Sequence, residues 1–152
     1  MKGISVVSPT TLTEVSTTAV VPVGTRQQAG ANEYIFLKGA ASTVAGSWVT
    51  FDEAGVTSLL TSNAKGRVAV ALAATVADTW GWYQIYGSGL GVIGNEVSAD
   101  TLAYISSVTG SVDDLLVTGD AVQGAIIRGA SAVTGATVAV ELNYPFVHDN
   151  VI

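Results

Sequence analysis

Apolar and polar positions alternate with a period of two in run after run along this chain, and glycine interrupts the runs. That period is the mark of a β-strand, because successive side chains on a strand point to opposite faces. The pattern predicts strands over residues 4–7, 18–23, 33–38, 47–51, 67–74, 80–86, 101–105, 122–128 and 137–143. Gly30, Gly39, Gly46, Gly66, the stretch 87–94, Gly110, Gly119 and Gly135 predict turns between them. Many short strands with frequent turn signals predict an all-β fold, a compact β-barrel or β-sandwich with Gly-rich turns. An α/β fold would need long helices between the strands, and the pattern offers none. At most one short helix is expected. Asp52 could cap it, with Val56, Leu59, Leu60 and Asn63 at helical spacing and Gly66 past its end. Gly55 and the Thr and Ser content oppose that helix, and an ordered loop fits the same residues.

Residues 1–30 differ from the rest. They are rich in Thr and Ser and hold Pro9 and Pro22, with few large apolar side chains. They are expected to form an extended N-terminal arm that reaches a neighbouring subunit, or an edge strand with a loose terminus. Residues 31–152 are expected to form a single β domain.

Charge alters the reading of the surface. Charged residues make up 12% of 152, and hydrophobic residues 49%. A typical soluble domain carries about 25% charged residues. So sparse a charged surface predicts that apolar area faces other chains, in a homo-oligomer or a larger assembly. The net charge of −6, with six scattered Lys and Arg, opposes direct binding to nucleic acid, which needs a basic patch. The chain has no cysteine, which excludes disulfides and thiolate chemistry and fits a reducing compartment. Residues 1–14 show no apolar core of a signal peptide, and the longest uncharged stretch, 79–95, is broken by glycines and polar residues. Neither export nor a membrane span is expected.

Four features invite a chemical reading. Residues 86–94, YGSGLGVIG, place Gly89, Gly91 and Gly94 in the spacing G-x-G-x-x-G after a strand-like run. In a dinucleotide fold such glycines let the backbone meet a pyrophosphate at a helix N-terminus, and an acid about 20 residues on binds the ribose. Asp113 and Asp114 lie near that distance, but the following residues read as turn and strand. The glycines are therefore expected to form a corner or loop of a β-protein. His148, the only histidine, stands beside Asp149, yet neighbours on a strand point apart and no G-x-S-x-G elbow exists. The pairs Asp52–Glu53 and Asp113–Asp114 flank turns. A glycosidase needs two carboxyls set across a cleft, whereas acids at turns ordinarily accept backbone N–H bonds. No catalytic residue, cofactor or metal site is expected, and the chain is not read as an enzyme.

The run TWGWYQIYG is the strongest local feature. As a strand it sets Trp80, Trp82, Gln84 and Tyr86 on one face and Gly81, Tyr83, Ile85 and Gly87 on the other. Both faces are bulky or closely approached, which predicts a central strand with Trp48 nearby. Trp48, Trp80, Trp82 and Tyr86 are expected to be core or intersubunit anchors.

The succession EYIFLKG, AGSWVTFD, GRVAVALAA and WGWYQIYG, continued by ADTLAYISSVTG, DAVQGAIIRGAS and VAVELNYPF, resembles the capsid decoration, or cement, proteins of tailed bacteriophages. The resemblance runs from about Glu33 to Phe146. It implies a β-barrel or β-sandwich subunit, often trimeric, made in a bacterial cytoplasm and located on the virion. Such a subunit binds the outer face of a capsid and clamps neighbouring copies of the major capsid protein. The family has no catalytic residues to carry over. The N-terminal arm and the C-terminal tail are candidates for latching onto neighbours. The rival reading is a carbohydrate-binding adhesin on a tail, fibre or particle surface, which would need aromatic rings exposed beside Asp or Asn. A small β-fold glycosidase built on an acid pair is a third and weaker one.

Overall fold

The alternating runs form strands in a computed structural model, which describes residues 12–148. In chain order these are β1 (Arg26–Ala29), β2 (Asn32–Lys38), β3 (Trp48–Phe51), β4 (Thr57–Leu59), β5 (Gly66–Ala71), β6 (Trp80–Val92), β7 (Thr101–Ile105), β8 (Val112–Asp113), β9 (Ala121–Ile127) and β10 (Thr137–Val147). They make one antiparallel sheet in the order β1-β2-β6-β5-β10-β9-β7-β8, with β3 on β5 and β4 on β3. The described residues contain no helix. The fold is all-β, as the alternation predicts. The sheet does not close into a barrel; it folds over on itself like a sandwich.

One open choice is resolved and two local expectations are corrected. After Asp52 the chain takes the loop alternative and forms no helix. The Asp52 Oδ1 accepts the N–H of Ala54 and of Val56, closing a turn, and the chain then enters β4. Residues 18–23 are not a strand. Pro22 has no N–H to give a ladder, and its carbonyl instead accepts the Thr25 N–H and hydroxyl in a turn. The glycines of 87–94 do not separate two strands. β6 runs through most of them as a single 13-residue strand. The expected strand at 4–7 lies outside the described residues.

Burial follows the register. β5 is apolar on both faces, and each face feeds a different core. Val68 and Val70 join Trp48, Leu60, Val138, Val140, Leu142 and Ile127 between the folded halves of the sheet. Ala69 and Ala71 join Ile35, Leu37, Val49, Phe51, Tyr83 and Ile85 on the other side. A third cluster covers the front of β2 and β6, where Leu12 packs with Tyr34, Phe36 and Trp82. Residues 12–29 are thus held against the sheet: Leu12 is buried, Ser16 bridges Trp80, and Arg26–Ala29 pair with β2 as an edge strand.

The halves meet at a fork. β6 pairs with β5 at Gln84 and Tyr83, and with β10 from Tyr86 to Val92. β10 pairs with β5 at Phe146 and Val147. Three strands that pair two at a time must bend apart, and bulges provide the bend. β6 carries an extra residue between its pairings to Tyr34 and Glu33 and then passes through Gly87 at φ 96°. β10 bulges between Leu142 and Phe146, with Tyr144 at φ 46° and Pro145 inside the irregularity. Proline fits there because a bulge needs no ladder N–H from it.

Candidate functional site

The four aromatic anchors part company in the fold. Trp48 is fully buried, and its indole N–H donates to the Val92 carbonyl at 3.2 Å. Trp82 is buried and meets Phe36 edge-on, with centroids 5.3 Å apart. Trp80 is half-buried, with the Lys38 ammonium 5.7 Å from its ring centroid. Tyr86 is 41% exposed. The strand is central, as its two bulky faces predict, but Trp48 packs in a different core from Trp82.

The G-x-G-x-x-G glycines serve packing. A Cβ on Gly89 would overlap the Gln84 carboxamide, which is buried and donates to the carbonyls of Tyr86 and Ser88. A Cβ on Gly91 would stand 2.8 Å from the Trp48 indole, and one on Gly94 would overlap Ser106. Each glycine clears room for a named side chain. No helix follows to face a phosphate.

The acid pairs brace loops. Asp113 is buried; its carboxylate accepts the Asn95 side-chain amide at 2.9 Å and the Leu115 N–H at 3.1 Å. Asp114 accepts the Ser98 N–H at 2.8 Å. Asp120, also buried, accepts the Asn63 N–H at 3.1 Å. His148 stacks on Phe146 with its Nε2 2.9 Å from the Gln123 amide, and Asp149 lies outside the described residues. Among the described residues no three His, Asp or Glu come together as a metal site.

Among the exposed apolar side chains, two groupings stand out. The first is a loop tip after β8. Leu115 is 65% exposed, Leu116 70% and Val117 41%. Three adjacent apolar residues in water are unusual on a finished surface. This tip is also held firmly. Asp113 grips the Leu115 N–H at one end, and the Asp120 N–H donates to the Val117 carbonyl at the other.

The second lies at the fork. Tyr86 and Tyr144 stand with centroids 5.2 Å apart, and Tyr144 is 46% exposed. The Tyr144 hydroxyl donates to Glu33, which also pairs with Arg26 at 3.4 Å; the Arg26 guanidinium sits 5.9 Å from the Tyr144 centroid. That hydrogen bond to a carboxylate raises the Tyr144 pKa above the ordinary tyrosine value. Beside the rings, Asn32, Ser88, Glu141 and Asn143 line a shallow hollow of about 260 Å³. A second hollow of about 290 Å³ adjoins it through Glu141 and Asn143 and extends to Gln123 and Leu102. Arg128 pairs with Glu141 at 2.8 Å and Asp100 at 2.9 Å on the same face, and both acids raise its pKa.

Sequence reasoning finds Tyr86 but misses Tyr144, because Glu33 is 111 residues away and no local pattern links them. It also passes over the Leu-Leu-Val tip, whose exposure depends on the buried acids beneath. The tip follows β8, which bridges Ile93 at the far end of β6, seven residues along the chain from Tyr86, or roughly 24 Å at about 3.4 Å per residue. No protein-family model matches the chain, and no curated protein does.

Proposed function

We propose that this chain is a non-enzymatic structural protein of a phage virion, which binds the outer surface of the capsid and stabilises the shell by bridging copies of the major capsid protein. The supporting observation is the braced apolar tip, Leu115, Leu116 and Val117. A single exposed leucine is ordinary, but three adjacent apolar residues on a braced loop suit a chain that docks. Burying one such side chain gains roughly 1.5–3 kcal/mol, and a rigid loop pays little entropy to present it. A homo-oligomer, of which the trimer is the favoured form, would repeat the tip and multiply modest contacts. The pattern-level likeness to decoration proteins points the same way, as does the low charge.

The test is to add purified protein to particles that lack it and measure co-sedimentation. The double variant Leu115→Asp/Leu116→Asp is expected to weaken binding by about 100-fold or more while keeping the wild-type circular dichroism. Unchanged binding by the folded double variant would remove the tip from the docking surface. No binding by the wild type would remove the capsid as partner.

A further inference from the structure

We infer that the Tyr86–Tyr144 pair and the two hollows beside it form a binding site for a neutral oligosaccharide. The first argument is exposure. This chain buries Trp48 and Trp82 almost completely, yet leaves both tyrosine rings over 40% exposed where two bulges turn them outward. Tyr144 adopts φ 46°, an uncommon conformation for a residue with a side chain. The second is order. The Tyr144 hydroxyl is committed to Glu33 and its ring lies near Arg26, so the residue is fixed before any ligand arrives. What remains to offer is carbon surface. A sugar ring presents C–H groups on its faces and hydroxyls around its edge. It therefore suits a ring platform bordered by an amide, a hydroxyl and a carboxylate, as Asn143, Ser88 and Glu141 provide here.

Charge and topology select the ligand class. Glu33 and Glu141 flank the site and are matched by Arg26 and Arg128, so it lacks the excess of positive charge that phosphate-bearing ligands and nucleic acid require. A peptide strand would need a free backbone edge. Here β6 is paired on both sides, with β2 and with β10. Each hollow falls just below the roughly 300 Å³ lower limit of small-molecule sites. They adjoin through Glu141 and Asn143, so a short oligomer that spans both gains more than a single sugar.

This site is separate from the docking tip, which follows β8 beyond the opposite end of β6. The test is calorimetric titration of the full chain with oligosaccharides of glucose, N-acetylglucosamine, xylose, mannose and galactose. At least one is expected to bind, more tightly as a longer oligomer than as its monosaccharide. Tyr86→Ala is expected to weaken that binding about tenfold, and Tyr144→Phe to weaken it less than Tyr144→Ala because the ring is kept. Leu115→Asp/Leu116→Asp is expected to leave sugar binding unchanged, which separates this inference from the capsid reading. Failure of the whole panel to bind would overturn the site, as would binding that Tyr86→Ala does not affect.

Discussion

Trp48→Ala is expected to destabilise the protein by about 3–5 kcal/mol, the range for removing a buried tryptophan from a core. Trp48 has no exposed surface and packs with Val68, Val70 and Val140 between the two halves of the sheet. Alanine leaves a void that the halves can close only by moving strands fixed in long ladders. It also strands the Val92 carbonyl that accepts the indole N–H. Total stabilities of domains are only on the order of 5–15 kcal/mol, so the variant should unfold far more readily. Tyr86→Ala, on the exposed face, should cost less than about 1 kcal/mol. Urea unfolding followed by far-ultraviolet circular dichroism measures both. Equal costs would mean that the four aromatics do not divide into core and surface as described.

Gly91→Ala is expected to cost about 1–3 kcal/mol. The sign matters, because a strand interior ordinarily gains roughly 0.5–1 kcal/mol when glycine becomes alanine. Here the added methyl would stand 2.8 Å from the Trp48 indole, a rigid ring with no room to retreat. The two changes should therefore couple. In a Trp48→Leu background, Gly91→Ala should become close to neutral, and a double-mutant cycle by urea unfolding reads that non-additivity. A stabilising Gly91→Ala in the wild-type background would show that the glycine has some purpose other than clearance for the indole.

These two positions show how far the sequence carries. Strict alternation makes strands legible where each face has a consistent fate. Residues 101–105 are both predicted and observed, and β2, β5, β9 and β10 differ only at their ends. Glycine is ambiguous without its neighbours. The same residue type marks a turn at Gly30 and clearance for a tryptophan at Gly91, 43 residues along the chain from Trp48. After Asp52 the spacing leaves helix and loop open, because a short turn and strand satisfy it equally well. The aromatic run identifies a central strand, but which rings face water depends on where β6 bends. That bend follows from a three-strand fork that involves residues far apart in the chain. Tyr144 joins Tyr86 only through the bulge in β10. The role of Asp113 as a buried brace is likewise invisible until the loop it holds is in place.

The most direct test of the virion proposal is copy number. Particles from the source lysate should be purified on a density gradient, and this chain quantified against the major shell protein by mass spectrometry. A fixed, high ratio to the shell protein is the predicted result. Absence from purified particles would contradict the proposal.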